Sequence, residues 1–358
     1  VNTERVEEFL ARSRDPRELM DGKYRVLHTS GTSGVLCTTV YAPDDWLKGV
    51  IHFERLVRLS FRKKKMAFVA ATQGHFAGVS MAASPALWLS KIFYPTRLFD
   101  INQPTADIVK GLNEWDPRVV AGYAGALRML AEVKEKGELT ISPRLLAAGG
   151  EPLTKRDQLY IENVFGTHVR NTYAASEHLF MGFDLHHGPG MYLLEDNLIF
   201  ELKDDCTLVT NLFNKTLPLI RYRMDDVLKL APPQVRGYGS YTVIDEVVGR
   251  QEEAPVFHNE DGEEDWIHPI VIVEFYVKGL KAFQLHIVDR DSFRFHVVLD
   301  SHLNDVEAAN VEREIGERMR ALLTQKRMNN VRFEIHRVDE LGPDPKTGKF
   351  RLIVPAVA

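Results

Sequence analysis

The periodicity of hydrophobic and polar positions changes along the chain, and its first pattern extends to about residue 170. Short β-rich apolar runs alternate there with longer amphipathic runs. Alternation of strands and helices is typical of a parallel sheet covered by helices. The predicted strands are Met66–Ala71, Arg118–Gly122, Leu145–Ala148 and His168–Tyr173. The predicted helices are Thr3–Arg14, Asp44–Arg62, Thr105–Trp115, Gly125–Lys136 and Thr154–Val164.

After Gly190 the pattern changes to strands alone. This change predicts a β-rich module that packs on, or follows, the α/β part. The predicted strands of this module are Leu198–Leu202, Thr207–Asn211, Leu219–Leu230 and Tyr241–Val247.

A third pattern begins near residue 249 and predicts a small α+β unit. It contains the strands Phe283–Val288 and Phe293–Leu299, the helix Asp305–Gln325 and the strand Val331–Val338. We therefore predict an α/β multidomain protein. A large body with a β-rich module would occupy residues 1–249, a charged linker residues 250–253, and a small C-terminal α+β domain residues 254–358.

Composition and charge narrow the classes of function. The chain has 358 residues, of which 44% are apolar and 27% charged, and a net charge of −5, so we expect no nucleic-acid partner. Its two cysteines exclude a disulfide framework and a four-thiolate zinc site. No uninterrupted apolar run reaches the ~18 residues that would cross a bilayer, and no signal peptide is recognisable. These features predict a cytoplasmic protein with no membrane partner.

The first segment that carries chemistry follows His28. It combines glycines, which permit unusual backbone angles, with hydroxyl side chains that suit a polyphosphate. Val35 follows the last glycine, so the segment lacks the Gly-Lys-Ser/Thr of a Walker loop. A flexible connector is the alternative interpretation. The segment comprises Thr29, Ser30, Gly31, Thr32, Ser33 and Gly34.

Two further segments follow predicted strands. After Ala148 come two glycines and then Glu151-Pro152. Ligands of α/β sheets bind at this end of the strands, although an ordinary turn with Thr154 as helix N-cap would look the same. In Asn171–His178, Tyr173 offers a flat face for a base and Glu177 a carboxylate for Mg²⁺. The alternative for Glu177 is a helix start.

Two polar stretches lie nearer the C-terminus. In Pro218–Asp226 the charges mark either a solvated strand face or an aspartate that binds ribose hydroxyls. Pro345–Arg351 is a polar loop that carries Lys349, and a hairpin turn is its alternative interpretation.

In this order and spacing, the five segments resemble those of the adenylate-forming superfamily of acyl-CoA synthetases, luciferases and peptide-synthetase adenylation domains. The similarity is strongest to the phenylacetate–CoA ligase branch, which includes deazaflavin-adenylating synthetases. Leu217–Arg223 and Gly150-Glu151-Pro152 are its most specific parts, and it extends from about Val26 onward.

The resemblance implies ATP and Mg²⁺ as cofactors and a role for each matching residue. Tyr173 would stack on adenine, Asn171 would read its amino edge, Asp226 would bind ribose, and Arg250 ribose or phosphate. The implied catalytic groups are Lys349, Thr32 and Glu177, with Glu177 also the metal ligand. The implied ATP contacts are Thr29, Ser30, Gly31, Thr32, Ser33, Gly34, Gly150, Glu151, Pro152, Asn171, Thr172, Tyr173, Ser176, Asp226 and Arg250.

A small carboxylic acid would be the substrate, and its pocket would include Tyr123, Gly125 and Ala148. These residues favour a modest, mostly apolar acid, for example an aromatic one. The acid would become acyl-AMP with release of pyrophosphate, and a thiol of CoA or of an acyl-carrier protein would then accept the acyl group. The resemblance also implies that the C-terminal domain, residues 254–358, is a lid that rotates about a hinge at residues 250–253 between the two half-reactions. A homodimer remains open.

The sequence also departs from the superfamily. Val35-Leu36 replaces the usual Lys and Pro, and the N-terminal segment that precedes the phosphate loop is absent, so the N-terminus looks shortened. Five carboxylates between residues 260 and 265 would repel the phosphates of CoA. An adenylyltransferase that leaves AMP on a cofactor hydroxyl, and a catalytically retired nucleotide-binding relative, are therefore alternatives.

Overall fold

The structure is a computed structural model. It describes residues 2–30, 36–52, 63–84, 92–184, 190–232, 240–248, 255–267, 277, 279–341 and 352–355, with backbone only at 29, 30, 36, 246 and 248. The chain divides into two compact units. The first comprises Val1–His28, Thr38–Asp100 and Val109–Gln251, and the second comprises Thr29–Cys37, Ile101–Ile108 and Glu252–Ala358. The hinge predicted at 250–253 lies outside the described residues.

Helices and strands alternate through the first half of the chain, as the sequence predicts. The described helices are α1 (Thr3–Arg12), α2 (Pro43–Val50), α3 (Ala77–Ala83), α4 (Thr105–Trp115), α5 (Ala124–Glu135), α6 (Lys155–Phe165) and α7 (Asp305–Gln325). The strands up to residue 193 are β1 (Arg25–Ser30), β2 (Leu36–Tyr41), β3 (Met66–Ala70), β4 (Thr96–Asp100), β5 (Val119–Gly122), β6 (Leu145–Ala148), β7 (Val169–Ala175), β8 (Leu179–Asp184) and β9 (Met191–Leu193).

Strands dominate the remainder of the chain. They are β10 (Leu198–Leu202), β11 (Thr207–Asn211), β12 (Tyr222–Met224), β13 (Val227–Leu230), β14 (Val243–Val248), β15 (Val256–His258), β16 (Glu264–Trp266), β17 (Leu280–Asp289), β18 (Ser292–Leu299), β19 (Arg332–Arg337) and β20 (Ile353–Val354).

A nine-stranded sheet of order β13-β14-β9-β8-β7-β6-β5-β3-β4 forms the centre of the first unit. Its strands from β7 to β4 are parallel, whereas β8, β9, β14 and β13 join by antiparallel pairing. The central parallel strands β3, β5 and β6 are apolar, as expected of strands covered on both faces. Thr154 is the N-cap of helix α6, because its hydroxyl accepts from the Asp157 amide at 3.1 Å, and Gly166, with a left-handed φ of 64°, is the C-cap.

The predicted β-rich module needs correction, because its strands do not form one body. β13 and β14 continue the main sheet, while β10, β11 and β12 form a separate three-stranded antiparallel sheet. The single strand predicted over Leu219–Leu230 is also wrong. It breaks at Asp225 and Asp226 into β12 and β13, which belong to different sheets, and Arg221 before it has a left-handed φ of 51°. Adjacent carboxylates fit a continuous strand poorly.

The second unit contains a four-stranded sheet of order β19-β18-β17-β20 and the helix α7. Phe283, Phe293 and Phe295 are buried in its core, together with Ile315 and Met319 of the helix. These aromatic side chains are therefore part of the hydrophobic core of the unit. Helix α7 begins with a reciprocal capping box between Asn304 and Glu307.

A buried ion pair fixes the hairpin β15–β16 inside the second unit. Lys326 is 2% exposed and Asp265 is 6% exposed. The Lys326 Nζ donates to Asp265 Oδ1 at 3.2 Å and to the Gln103 carbonyl at 3.1 Å. Asp265 also accepts from the Thr105 hydroxyl at 2.7 Å and the Thr105 amide at 3.3 Å, so it caps the N-terminus of α4.

None of the described helices has the length and apolar character needed to cross a membrane.

Candidate functional site

The ends of three parallel strands bring several predicted site residues together. In the register of the sheet, Gly122 at the end of β5 lies beside Ala148 at the end of β6, and Ala148 lies beside Asn171 on β7. The carboxyl ends of parallel strands are where α/β proteins bind ligands. Tyr123, Ala148, Gly150 and Asn171 therefore share one edge of the sheet, as the sequence predicts.

The two glycines after β6 are required by close packing. A Cβ on Gly149 would lie 2.3 Å from the Thr172 hydroxyl oxygen, and Gly150 has a left-handed φ of 79° beside the ring of Tyr123. The Thr172 hydroxyl donates to the Ala148 carbonyl at 2.8 Å. This hydroxyl, assigned to ATP by the resemblance, thus holds β6 to β7.

A hydrogen bond joins Glu151, which is predicted to line the adenine, to Gly125, which is predicted to line the acid pocket. The Glu151 Oε2 accepts from the Gly125 amide at 3.0 Å, at the N-terminus of α5. A carboxylate is favourable there because the helix dipole and unpaired amides attract negative charge. Glu151 therefore fixes the position of Gly125 relative to residues 150–152.

Tyr173 and Asp226 form a partly buried polar contact between two predicted site residues. The Tyr173 Oη donates to Asp226 Oδ2 at 2.9 Å, and Tyr173 is 8% exposed. Burial, and then the neighbouring Asp226 carboxylate, raise the pKa of Tyr173. Burial also raises the pKa of Asp226, while the Tyr173 hydrogen bond lowers it in part. Stacking of adenine on Tyr173 stays a prediction.

Glu177 lies in a tight turn between β7 and β8, so the helix start considered for it is wrong. The turn closes with Leu179 at a left-handed φ of 56°. Glu177 is 7% exposed, and the Tyr222 hydroxyl approaches its Oε1 at 3.3 Å. The Tyr41 hydroxyl donates to the Ser176 carbonyl at 2.7 Å. The turn thus holds a buried carboxylate in a fixed position.

His178 follows Glu177 and is fully buried. Burial lowers its pKa to about 4, so the ring is neutral at pH 7. Among the described residues, its Nδ1 lies 3.4 Å from the Asn211 amide nitrogen, and its Nε2 has no hydrogen-bond partner. The sequence analysis assigned His178 no role.

The predicted phosphate loop and two predicted cationic residues lie largely outside the described part of the chain. Thr29 and Ser30 lie on β1 but without described side chains. Gly31, Thr32, Ser33, Gly34, Arg250 and Lys349 lie outside the described residues. Their roles remain predictions.

Some residues that support the site were not anticipated from the sequence. Tyr222 contacts Glu177, and Asn211 donates to the Glu177 carbonyl at 3.3 Å. The Thr207 hydroxyl donates to the Asp226 carbonyl at 2.8 Å. Tyr222 lay within the Pro218–Asp226 stretch and could have been found there, but nothing in the local sequence marks Asn211 or Thr207.

The acidic segment of residues 260–265 carries fewer unpaired charges than its sequence indicates. Asp265 is buried against Lys326, and Glu264 lies 3.4 Å from Arg290. Glu260 accepts from Asn329 at 2.8 Å. The repulsion expected between five carboxylates and the phosphates of CoA is therefore overestimated, because two of them are paired with cations.

Comparison with known proteins agrees with this architecture. No protein-family model matches the chain. A segment of 156 residues is 28% identical to the protein CapK of Staphylococcus aureus, and it spans 40% of this chain and 34% of that protein. The match thus covers about a third of that relative's length.

Solved structures of 2-hydroxyisobutyryl-CoA ligase are similar over most of the chain. The open form with 2-HIB-AMP and CoA has a TM-score of 0.53 at 16% identity, over 99% of this chain and 80% of that chain. The form in the thioesterification state has a TM-score of 0.56 at 18% identity, over 93% and 74%. The chain therefore has the fold of these ligase structures, which confirms the predicted fold class. The phenylacetate–CoA ligase branch stays a prediction.

Proposed function

We propose that this protein is an adenylate-forming ligase that activates a small carboxylic acid with ATP. The acid would become acyl-AMP with release of pyrophosphate, and a thiol would then accept the acyl group. The observation that carries the proposal is that the Asp226 carboxylate meets the Tyr173 hydroxyl at 2.9 Å, although 53 residues separate them. Both were assigned to one nucleotide site from the sequence.

Different residues of the first unit would contact the ribose, the adenine and the α-phosphate of ATP. Asp226 would accept hydrogen bonds from the ribose hydroxyls, and Gly150 to Pro152 would line the adenine. Ser176 would contact the α-phosphate, next to Glu177 in the same turn. Gly150 has a left-handed φ of 79°, which a residue with a side chain would rarely adopt, so glycine shapes the turn that would line the adenine.

Glu177 fits the magnesium ion that ATP chemistry uses. Mg²⁺ is commonly held by one or two carboxylates together with phosphates and water, and Glu177 supplies one buried carboxylate. The bound ion would neutralise charge on the phosphates. Tyr222, 3.3 Å from the Glu177 Oε1, would hold that carboxylate in place.

Lys349 would stabilise the negative charge that develops as the acid attacks the α-phosphate. Removal of one well-placed donor of this kind costs ~2.7–4 kcal/mol, or about 10²–10³ in rate. We expect Lys349→Ala to lower acid-dependent ATP–pyrophosphate exchange by that factor. Lys346→Ala, a matched change three positions earlier, should retain near-parental exchange. Near-normal exchange by Lys349→Ala would contradict the mechanism.

The acid would bind near Tyr123, Gly125 and Ala148. The largest of these side chains is a buried tyrosine, which favours a modest and mostly apolar acid. Exchange measured across a panel of aliphatic and aromatic acids identifies the substrate. If no acid in a broad panel supports exchange by the parent protein, the proposed activity is wrong.

The acceptor is proposed to be the thiol of CoA or of an acyl-carrier protein. Pre-formed acyl-AMP should be offered with CoA, with an acyl-carrier protein and with neither. Saturable thioester formation with one of the two thiols identifies the acceptor. Hydrolysis alone in all three reactions would contradict a thiol acceptor.

A further inference from the structure

The hydrogen bond between Tyr173 and Asp226 joins distant parts of the first unit. Tyr173 lies on β7, inside the nine-stranded sheet. Asp226 lies at the break between β12, which belongs to the small sheet, and β13, which belongs to the large one. The tyrosine hydroxyl therefore reaches an aspartate that no regular strand pairing places beside it.

The backbone of Asp226 is fixed independently of this bond. Its carbonyl accepts from the Thr207 hydroxyl at 2.8 Å, and the next residue, Val227, pairs with Val248. What remains free is rotation of the Asp226 side chain about its two torsions. The Tyr173 hydroxyl, at 2.9 Å from Oδ2, selects one of these orientations.

The remaining oxygen of Asp226 is left with capacity to accept. An ionised carboxylate has about four acceptor positions, and Tyr173 occupies one on Oδ2. Among the described residues, no side chain or amide donates to Oδ1 and no cation pairs with this carboxylate. The charged groups near the pair are the carboxylates of Asp225 and Glu177. A half-buried carboxylate in these surroundings favours a ligand with neutral donors, such as adjacent hydroxyl groups.

We propose that the Tyr173 hydroxyl is a positioning group that holds Asp226 for the two ribose hydroxyls, so that selectivity for ribonucleotides over deoxyribonucleotides depends on Tyr173. This inference rests on the proposed function, because it assigns ribose to Asp226. Tyr173 acts through Asp226, since its own hydroxyl hydrogen is already donated to Oδ2.

The test is equilibrium binding of ATP, 2′-deoxy-ATP and 3′-deoxy-ATP, each with Mg²⁺, to the full chain. In Tyr173→Phe we expect the Kd for ATP to rise about tenfold, in line with the loss of a hydrogen bond to a charged group. The Kd values for the two deoxynucleotides should change less than about threefold, because one of their hydroxyl donors is already missing. The preference for ATP therefore shrinks.

Tyr160→Phe is the matched control. The Tyr160 hydroxyl also donates to a carboxylate, Glu135 Oε2, at 2.9 Å, but this pair is exposed on α5 and α6. We expect the control to bind all three nucleotides as the parent does. A melting curve for each variant shows whether it is folded.

The outcomes distinguish a failure of this inference from a failure of the proposed function. If the parent does not bind ATP, both are overturned. If the parent binds ATP and Tyr173→Phe keeps the parental preference, or loses affinity equally for all three nucleotides, only the positioning role is overturned.

A double-mutant cycle decides the case even if Tyr173→Phe is less stable. When Tyr173 acts through Asp226, the combined variant binds ATP no more weakly than Asp226→Asn alone. Losses that add in full would overturn the inference.

Discussion

Asp226 in the first unit is half-buried and Asp265 in the second is buried, but the hydrogen-bond partners of the two carboxylates differ. Asp265 accepts from the Thr105 amide and hydroxyl, from the Trp266 amide at 2.7 Å and from the Lys326 ammonium. Asp226 accepts from Tyr173 and has no cationic partner among the described residues. A carboxylate whose partners are complete holds a fold together, whereas one with unused acceptors has room for a ligand.

The two carboxylates also differ in how far their interactions offset the free energy lost on desolvation. A buried charge that is fully hydrogen-bonded and paired repays part of its desolvation. Asp226 lacks that compensation, and burial raises its pKa. Proteins keep such local destabilisation chiefly where function needs it. The comparison therefore agrees with a structural role for Asp265 and with the binding role proposed for Asp226.

The largest effect is expected at Lys326. Lys326→Met leaves Asp265 buried without its counter-ion, and breaking a buried pair in this way costs about 3–5 kcal/mol. The free energy of unfolding in urea should fall by that amount. In the double variant Lys326→Met/Asp265→Asn much of the loss should be recovered, because no uncompensated charge remains. A change below about 1 kcal/mol in the single variant would mean that the pair is not structural.

The next effect concerns the ligand. Asp226→Asn keeps the shape of the side chain but weakens its hydrogen bonds to ribose, because charge-assisted bonds are about twice as strong as neutral ones. We expect ATP affinity to fall roughly 10- to 100-fold. Asp225→Asn, which changes the exposed neighbouring carboxylate, is the control and should bind ATP within about twofold of the parent. Calorimetry that gives equal affinities for parent and Asp226→Asn would remove Asp226 from the site.

Local patterns were sufficient to predict some elements. The helices Thr105–Trp115 and Asp305–Gln325 have the bounds predicted for them, as do β6, β10 and β11. Each is a strongly periodic segment or a short apolar run with clear ends. The predicted fold class is also confirmed, because it depends on the order of such segments along the chain.

What could not be predicted depends on partners distant in the sequence. The division of strands between two sheets follows from pairing across the unit, which the local sequence does not show. The adjacent carboxylates Asp225 and Asp226 disfavour a continuous strand, but they do not show that its two halves belong to different sheets. The Lys326–Asp265 pair spans 61 residues and no motif marks it. The resemblance implies a separate role for Tyr173 and for Asp226, and only the structure shows the hydrogen bond between them.

The stability of Asp226→Asn relative to the parent protein should depend on pH. The folded-state pKa of Asp226 is raised by burial, so its protonation favours the folded state. That contribution is complete below the unfolded pKa and is lost as pH rises through the folded pKa. Asp226→Asn lacks this loss, so its stability relative to the parent should increase as pH rises from about 3 towards 7. A difference that is constant across this range, measured by urea unfolding, would contradict the raised pKa.

The smallest effect on stability is expected at an exposed ion pair, which serves as a reference for the buried pair of Lys326 and Asp265. Arg313 and Glu317 form an ion pair at 2.9 Å along α7, with 64% and 56% of the side chains exposed. Exposed pairs at this spacing are worth about 0.3–0.5 kcal/mol, and an arginine placed before the glutamate has the less favourable orientation relative to the helix dipole. We therefore expect Glu317→Gln to lower the free energy of unfolding by no more than about 0.5 kcal/mol. The difference should disappear in 1 M NaCl, where the Debye length falls to about 3 Å. If Glu317→Gln costs as much as Lys326→Met, burial is not what separates structural carboxylates from the rest.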